Sequence, residues 1–509
     1  MEREIKLRLL QPKKAEDLLK SSVLAGLVSK KPRKVALEAV YYDTTDHQLL
    51  SAGFAYRIRK EGRQWVATLK DGGSYRGGLH ERQEWNVKQK TWEPNLDVFK
   101  ESGLAKEWKN LNGKKLTILF EVTTQRHIQE LTLGDGTVVE MAIDTGRVFH
   151  EGKQDEIHEV ELELLSGSIG SLLELAALLS EVWGLAPERR TKFSRGLALA
   201  GLNEEEKGQE PIALDDELPA PEGVIQLLIA YTADILSMIE KADSGYDRQW
   251  IYDFRVEVRE LRSLLALGHP FCPEGEAERW IEKIKECYWE TGALREMDVL
   301  EELLQVIPNK EVAEGELSKR IRRRRKELVV QWEEKWGDGK LTSLFLAFWS
   351  WLEKIHTEQN TQEPYWTIEK WSMKTMSEEV RELWEKRRED QFDDFKWTHD
   401  LRVEAKELRY SLAALSDDLP IRETSALLKG VEKFQEKLGR LQDSYCSTDW
   451  MNSLKEKKAP SEFYHQVGIV KGWLLRDAYT AKVEAEAHWE KVIKRCKKWL
   501  QNVEGCSRN

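Results

Sequence analysis

The period of the apolar residues changes near residue 200, and that change constrains the fold more than any other feature of the chain. Up to that point apolar residues alternate in short runs, EIKLRL, FAYRIRK, QWVATLK, RQEWNVK, TILFEVTT, VVEMAID and HEVELELL, punctuated by glycine. Alternation with a period of two puts successive side chains on opposite faces of a strand, so this half predicts an antiparallel sheet or barrel of many strands. One segment, SIGSLLELAALLSEVWGL, has a helical period instead, with Ser168 or Ser171 at its N-cap and Gly184 at its C-cap. Residues 203–222 are acidic and hold Pro211, Pro219 and Pro221, which reads as a linker. Beyond it Glu, Lys, Arg, Leu and Trp dominate, and strand signals become few.

The helical half contains a duplication. DFRVEVRELRSLLA at 253–266 and DLRVEAKELRYSLA at 400–413 share nine of fourteen residues at an offset of 147, which also joins Gly292 to Gly439 and Leu294 to Leu441. Two homologous sub-bundles of about four helices each follow, with approximate two-fold symmetry. The expected fold class is α+β multidomain: an antiparallel β barrel with flanking helices over 1–202, the linker over 203–222, and an all-α domain over 223–503.

At 509 residues and 40% hydrophobic content the chain can bury real cores. Its 33% charged residues nearly cancel, leaving a net charge of −11, so local clusters rather than global sign must name a partner. Five cysteines without a C-x-x-C spacing argue against a disulfide framework or zinc ribbon and for a reducing compartment. With no apolar leader and no unbroken run of about 18 apolar residues, a cytoplasmic protein with no membrane partner is expected. Its 20 tryptophans lie mostly in helical stretches, where core packing is the better reading than base stacking.

The polar strand faces carry the chemical information. Glu2, Glu4, Lys6 and Arg8 share one face of the first run; Arg57 and Arg59, Arg82 and Glu84, and Glu159, Glu161 and Glu163 pair likewise, while Lys70 and Asp144 end their runs. Singly, each fits a solvated sheet whose ion pairs contribute only tenths of a kcal/mol. Collectively they suggest a barrel with a polar interior. Both signs belong together if the ligand is a polyanion carrying divalent cations, with Arg and Lys on phosphate oxygens and carboxylates on hard ions such as Mg2+ or Mn2+. The chain shows no conspicuous Ser/His/Asp or Cys/His set and no G-x-x-x-x-G-K-[ST] loop.

The ordered series Glu2-x-Glu4-x-Lys6, Arg57-x-Arg59, Lys70, Arg82-x-Glu84, Arg126 in FEVTTQR, Asp144 in AIDTG, Glu159 and Glu161 in EVELELLSG, and Lys192 with Arg195 in TKFSRG resembles the CYTH superfamily, the triphosphate tunnel metalloenzymes. The resemblance implies an eight-stranded tunnel. It also implies metal ligands at Glu2, Glu4, Asp144, Glu159 and Glu161, with Glu2, Glu4, Glu159 and Glu161 catalytic. Lys6, Arg57, Arg59, Lys70, Arg82, Arg126, Lys192 and Arg195 would hold the triphosphate. Glu84 and Glu163 fit either the site or a neighbouring cation, and Glu121, of opposite parity to Arg126, faces away.

In the helical half, Arg255, Arg259 and Arg262, and again Arg402, Lys406 and Arg409, fall at i, i+4 and i+7 on one helical stripe. Like charges at this spacing repel, so a stripe kept in both copies points to an anionic partner. His399-x-x-Arg402-x-x-x-Lys406-x-x-Arg409-Tyr410 resembles the CHAD domain, which implies inorganic polyphosphate binding by these six cations and His399. The first copy departs from the pattern with Tyr252 where the family has His. Glu296, Asp298 and Asp443 would brace the cations, and the run KRIRRRRK at 319–326 reads equally as a solvent face, a nucleic-acid patch or part of the same basic surface.

The leading expectation is metal-dependent hydrolysis of inorganic triphosphate to pyrophosphate and phosphate, coupled to polyphosphate binding, in the cytoplasm and at polyphosphate granules. Its competitors are a thiamine or nucleoside triphosphatase, an adenylate cyclase, or a non-catalytic polyphosphate or RNA binder. Nucleic acid is the weaker partner, because phosphate affinity alone does not single it out.

Overall fold

A computed structural model describes residues 2–11, 13–62, 64–99, 114–202, 214–215, 217–358, 366–388, 392, 394–415, 419, 421–455 and 459–506. Residues 203–213 and 216, most of the expected linker, lie outside them. The chain forms two compact units. One comprises Met1–Pro211, Thr232–Asp243 and Trp336–Lys354; the other comprises Ile212–Tyr231, Ser244–Lys335 and Ile355–Asn509.

The first unit is built on strands β1 (Glu2–Leu9), β2 (Arg33–Thr44), β3 (Phe54–Glu61), β4 (Gln64–Asp71), β5 (Ser74–Arg76), β6 (Leu79–Arg82), β7 (Glu84–Gln89), β8 (Leu116–Thr132), β9 (Val138–His150), β10 (Lys153–Ser166) and β11 (Leu185–Pro187). They pair antiparallel in the order β5-β6-β1-β10-β9-β8-β2-β3-β4-β7, with β11 beside β1. The result is a curled half-barrel. Its eleven described strands exceed the implied eight because β5 and β11 are three-residue additions and the run LHERQEWNVK divides at Gln83. That division has a geometric consequence: Arg82 and Glu84, two residues apart, stand near opposite ends of the strand order.

Strand parity holds as the sequence predicts. In β3, Tyr56 and Ile58 enter an apolar cluster with Tyr42, Leu49, Ala67, Leu69 and Phe99, leaving Arg57 and Arg59 for the opposite face. In β1, Ile5 and Leu7 are fully buried on the apolar side. Helix Ile169–Trp183 covers β1, β10 and β11. Ser168 stands at its N-cap, and Gly184 closes it in the left-handed region at φ 71°, donating its N–H to the Ser180 carbonyl at 3.0 Å.

Helix Lys192–Ala200 packs on β8, β9 and β10. Thr191 caps it, accepting the Ser194 N–H at 3.0 Å. Gly196 lies so close to β8 that a Cβ there would sit 2.3 Å from the Phe120 ring, so only glycine permits this approach.

The second unit is helical, and the duplication is visible in its element bounds. Helices Arg248–Leu267 and Phe395–Ala414 begin and end 147 residues apart. Their caps repeat too, Asp247 accepting from the Trp250 N–H and Asp394 from the Lys396 N–H. Helices Glu276–Glu290 and Gly292–Val306 correspond to a single helix, Ile421–Ser453; the first copy divides at Thr291, whose hydroxyl bonds the Tyr288 carbonyl at 2.7 Å. Trp250, Phe254, Val258, Leu261, Leu264 and Leu265 bury one side of the Arg248–Leu267 helix, setting its cation stripe on another.

The ambiguous KRIRRRRK run is largely paired internally. Arg320 binds Glu316, Arg322 binds Glu301, Arg324 binds Glu327 and Arg325 binds Asp298. Trp349 and Trp499 are fully buried, as core packing requires. Cys272, Cys287, Cys446 and Cys496 carry free thiols. Helix Ala220–Glu240 is long and apolar enough to cross a membrane by composition, and 56% of that stretch is buried within the protein, as in a core helix.

Candidate active site

Because directly opposed residues share a face, the register of the half-barrel decides which charges meet. Lys6 opposes Glu161, Glu4 opposes Glu163, and Glu2 opposes Arg82. Asp144 lies between Glu159 and Arg126, Tyr41 faces Arg57, and Lys70 faces Glu84. The concave face therefore gathers both signs from most of its strands.

At its centre, Asp144, Glu159 and Glu161 are buried, with one oxygen from each lying within 4.8 Å of the others. Lys192 reaches in from its helix, its Nζ at 2.8 Å from Asp144 and 2.9 Å from Glu161 while also touching Glu159. Lys6 Nζ lies 2.6 Å from Glu161 and 3.4 Å from Glu159. Arg126 forks onto Asp144 at 2.8 and 2.6 Å and reaches Glu161 at 2.5 Å. Burial works against every one of these charges. The cations nonetheless hold the Glu161 carboxyl well below the usual range and Asp144 below it, and the carboxylates in turn raise Lys6, Lys192 and Arg126. Removing one partner would strand a buried charge, which costs several kcal/mol.

This cluster fits a hard divalent cation. Three carboxylates converge with oxygen donors, and among the described residues Glu159 Oε2 is buried without a hydrogen-bond partner. Glu2 and Glu4 are not part of this three-carboxylate group, although Glu4 lies within electrostatic reach of Glu161 and Lys6. Arg82 contacts Glu4 and binds Glu2 at 3.2 Å, while Lys70 binds Glu2 at 3.0 Å and contacts Glu84. Arg57 Nη2 lies 3.8 Å from Glu84. Of the two ambiguous acids, Glu84 is thus held against cations, whereas burial and then the carboxylates of Glu2, Glu140, Glu4 and Glu84 push Glu163 up to about 7. Glu121 is exposed, as its parity predicts.

Two of the expected triphosphate ligands pair with carboxylates outside the central cluster, Arg59 still within electrostatic reach of Arg57 and Arg126. Arg59 contacts Glu61 at the end of its strand, and Arg195 binds Glu188 at 2.6 Å and Asp155 at 2.9 Å. One residue of this face escaped the sequence reading: the buried Tyr41 hydroxyl accepts a hydrogen bond from Arg57 Nη1 at 3.3 Å, and its ring stacks on Phe120 at 4.6 Å. Its position opposite Arg57 becomes visible only once β2 is paired with β3.

In the helical unit the two stripes come together. Burial, then Arg259, Arg402, Arg255 and Arg409, push the Lys406 ammonium down to about 6. Arg255 donates to the Tyr288 carbonyl at 2.9 Å and to the Thr291 hydroxyl at 2.8 Å. Glu296 and Asp443, equivalent positions of the two copies, lie near each other and near Arg295 and Arg402; burial and their mutual repulsion raise Glu296, and burial raises Asp443. Asp298 instead binds Arg325 at 2.5 Å. His399 is exposed, 3.3 Å from Gln442. At the equivalent positions of the first copy, the Arg295 guanidinium covers the Tyr252 ring at 5.2 Å, so a cation–π contact replaces the histidine's hydrogen bond.

Residues 1–197 match the CYTH domain family model and residues 228–452 the CHAD domain model. The chain is a CYTH domain followed by a CHAD domain. The chain is similar to an inorganic triphosphatase of Haemophilus influenzae, 29% identical over 161 residues, which is 31% of this chain and 44% of that relative. The match therefore spans less than half the relative's length. Among solved structures, the chain is similar to the CHAD domain of the plant Ricinus communis, at 22% identity over 55% of this chain and 94% of that one, TM-score 0.47. A Hippeastrum protein described as an adenylyl cyclase with a dominant triphosphatase activity is 20% identical over 40% of this chain and 98% of that one, TM-score 0.30.

Proposed function

We propose that the CYTH half hydrolyses inorganic triphosphate to pyrophosphate and phosphate with a divalent cation, and that the CHAD half binds inorganic polyphosphate. The observation that carries the first part is the single concave face on which Lys6, Arg57, Lys70, Arg82, Arg126 and Lys192 interleave with Glu2, Glu4, Asp144, Glu159 and Glu161. Phosphoryl transfer needs mainly positioning and charge neutralisation, and this inventory supplies both.

In this reading Asp144, Glu159 and Glu161 hold Mg2+ or Mn2+, with Glu2 and Glu4 as further carboxylates on the same face. When bound, the cation supplies charge neutralisation at phosphoryl oxygens and a template for their orientation. The protein's cations do the rest. Arg57, Arg82 and Arg126 offer planar forks and Lys6, Lys70 and Lys192 point charges, each exchanging a carboxylate partner for a phosphate oxygen as the ligand enters. Tyr41 holds the Arg57 fork in place, and the buried setting keeps bulk water from screening these contacts.

The CHAD part rests on the six facing cations, four of which lower the Lys406 ammonium. We place the protein in the cytoplasm, where polyphosphate would meet this surface.

The test is a phosphate-release panel with inorganic triphosphate, ATP and thiamine triphosphate, each with Mg2+, Mn2+ or a chelator. Triphosphate turnover that requires the metal and exceeds the other two substrates is expected. Preference for ATP or thiamine triphosphate would replace the substrate, and turnover unaffected by chelation would remove the metal.

A further inference from the structure

We infer that Tyr288 is a positioning residue for polyphosphate binding, its ring holding the guanidinia of Arg255, Arg259 and Arg262 as one aligned rail. This rests on the reading of the CHAD half as a polyphosphate binder.

Three arginines at i, i+4 and i+7 repel one another, so an isolated helix would splay them toward solvent. Here all three converge on one aromatic ring, with guanidinium carbons 4.1, 5.8 and 5.7 Å from the Tyr288 centroid for Arg255, Arg259 and Arg262. The negative π-face attracts all three cations without itself consuming an N–H donor, while Arg255 also donates to the Tyr288 and Thr291 oxygens and Arg259 Nε to the Arg255 carbonyl. The Tyr288 hydroxyl adds a directional constraint, accepting from Arg255 Nη2 at 3.0 Å. Tyr410 extends the bench to the facing helix, 5.0 Å from Arg259 and 4.3 Å from Arg409. Arg259 thereby touches both rings.

The duplication supplies an internal control. The cations recur in both copies, but the position equivalent to Tyr288 is Gln435, whose amide is turned to the Ala405 carbonyl. The rail is thus a property of the first copy, grafted onto a scaffold that accepts glutamine at the same place.

The experiment uses the full chain with long-chain inorganic polyphosphate, comparing wild type, Tyr288→Phe and Tyr288→Gln by affinity across a salt series and by thermal melting. Tyr288→Gln should bind about tenfold more weakly with a shallower salt dependence, because fewer phosphates are contacted at once. Tyr288→Phe, which keeps the ring but loses the hydroxyl bond to Arg255, should fall between wild type and Tyr288→Gln. A residue that merely supports the fold would shift the melting temperature without changing the salt slope. Wild-type affinity and slope in Tyr288→Gln would overturn the rail while leaving polyphosphate binding standing, and so would equal losses in both variants. Absence of binding by wild type would instead overturn the reading on which the rail rests. Should Tyr288→Gln fail to fold, Tyr288→Leu read by the same salt slope decides between these outcomes.

Discussion

Each interior cation of the CYTH face already has a carboxylate partner, so ligand binding there is an exchange of anions rather than the filling of a bare charged hole. Tyr41 orients one of these cations. A hydrogen bond to a charged group contributes about 1.5–3 kcal/mol, so Tyr41→Phe should lower kcat/KM for triphosphate by about tenfold or more, read in steady-state kinetics. In the CHAD half, burial and then the neighbouring arginines push the Lys406 ammonium down to about 6, against an ordinary 10.5. An arriving polyanion restores the charged form, so between those values binding takes up a proton and affinity falls as pH rises above about 6. Calorimetry in buffers of different ionisation heat should show this uptake, and Lys406→Arg, which stays charged, should diminish it. Residue types and strand parity were legible in the sequence: Glu2, Lys6, Arg57 and Glu161 were placed by alternation alone. The partners were not. Lys192 and Arg195 sit three residues apart in one helix, yet one enters the acidic cluster and the other pairs with Glu188 and Asp155, a choice that the helix's own sequence does not reveal.

At the level of elements, the helix Lys192–Ala200 is the one whose seating matters most, because it delivers Lys192 to Asp144, Glu159 and Glu161. Gly196 sets how closely it approaches β8. Gly196→Ala would force the helix outward against Phe120, and overpacking of this kind costs about 1–3 kcal/mol. A lower melting temperature together with reduced triphosphate turnover is expected; an unchanged variant would show that the helix tolerates displacement. The helix ending at Gly184 was readable from its period and its glycine. The division at Gln83 was not, since the run from Leu79 onward alternates without a turn signal and only the curl of the sheet parts it into two strands. Likewise the two copies of the repeat read alike, while the break at Thr291 depends on side chains capturing the Tyr288 carbonyl.

Over the whole molecule, a net charge of −11 conceals two regions that concentrate cations, one balanced by buried carboxylates and one in which cations crowd together. The order of the halves followed from the change of period near residue 200. That Thr232–Asp243 and Trp336–Lys354, helical by sequence, belong to the same compact unit as the N-terminal sheet did not, because amphipathic helices do not declare which surface they cover. In the proposed metal-dependent triphosphate site on the concave face, Glu161 is the hub, meeting Lys6, Arg126 and Lys192. The most direct measurement is phosphate release from inorganic triphosphate by wild type and Glu161→Gln at saturating Mg2+ or Mn2+. A loss of at least about a hundredfold is expected in the folded variant; full turnover by folded Glu161→Gln would show that the concave face is not that site.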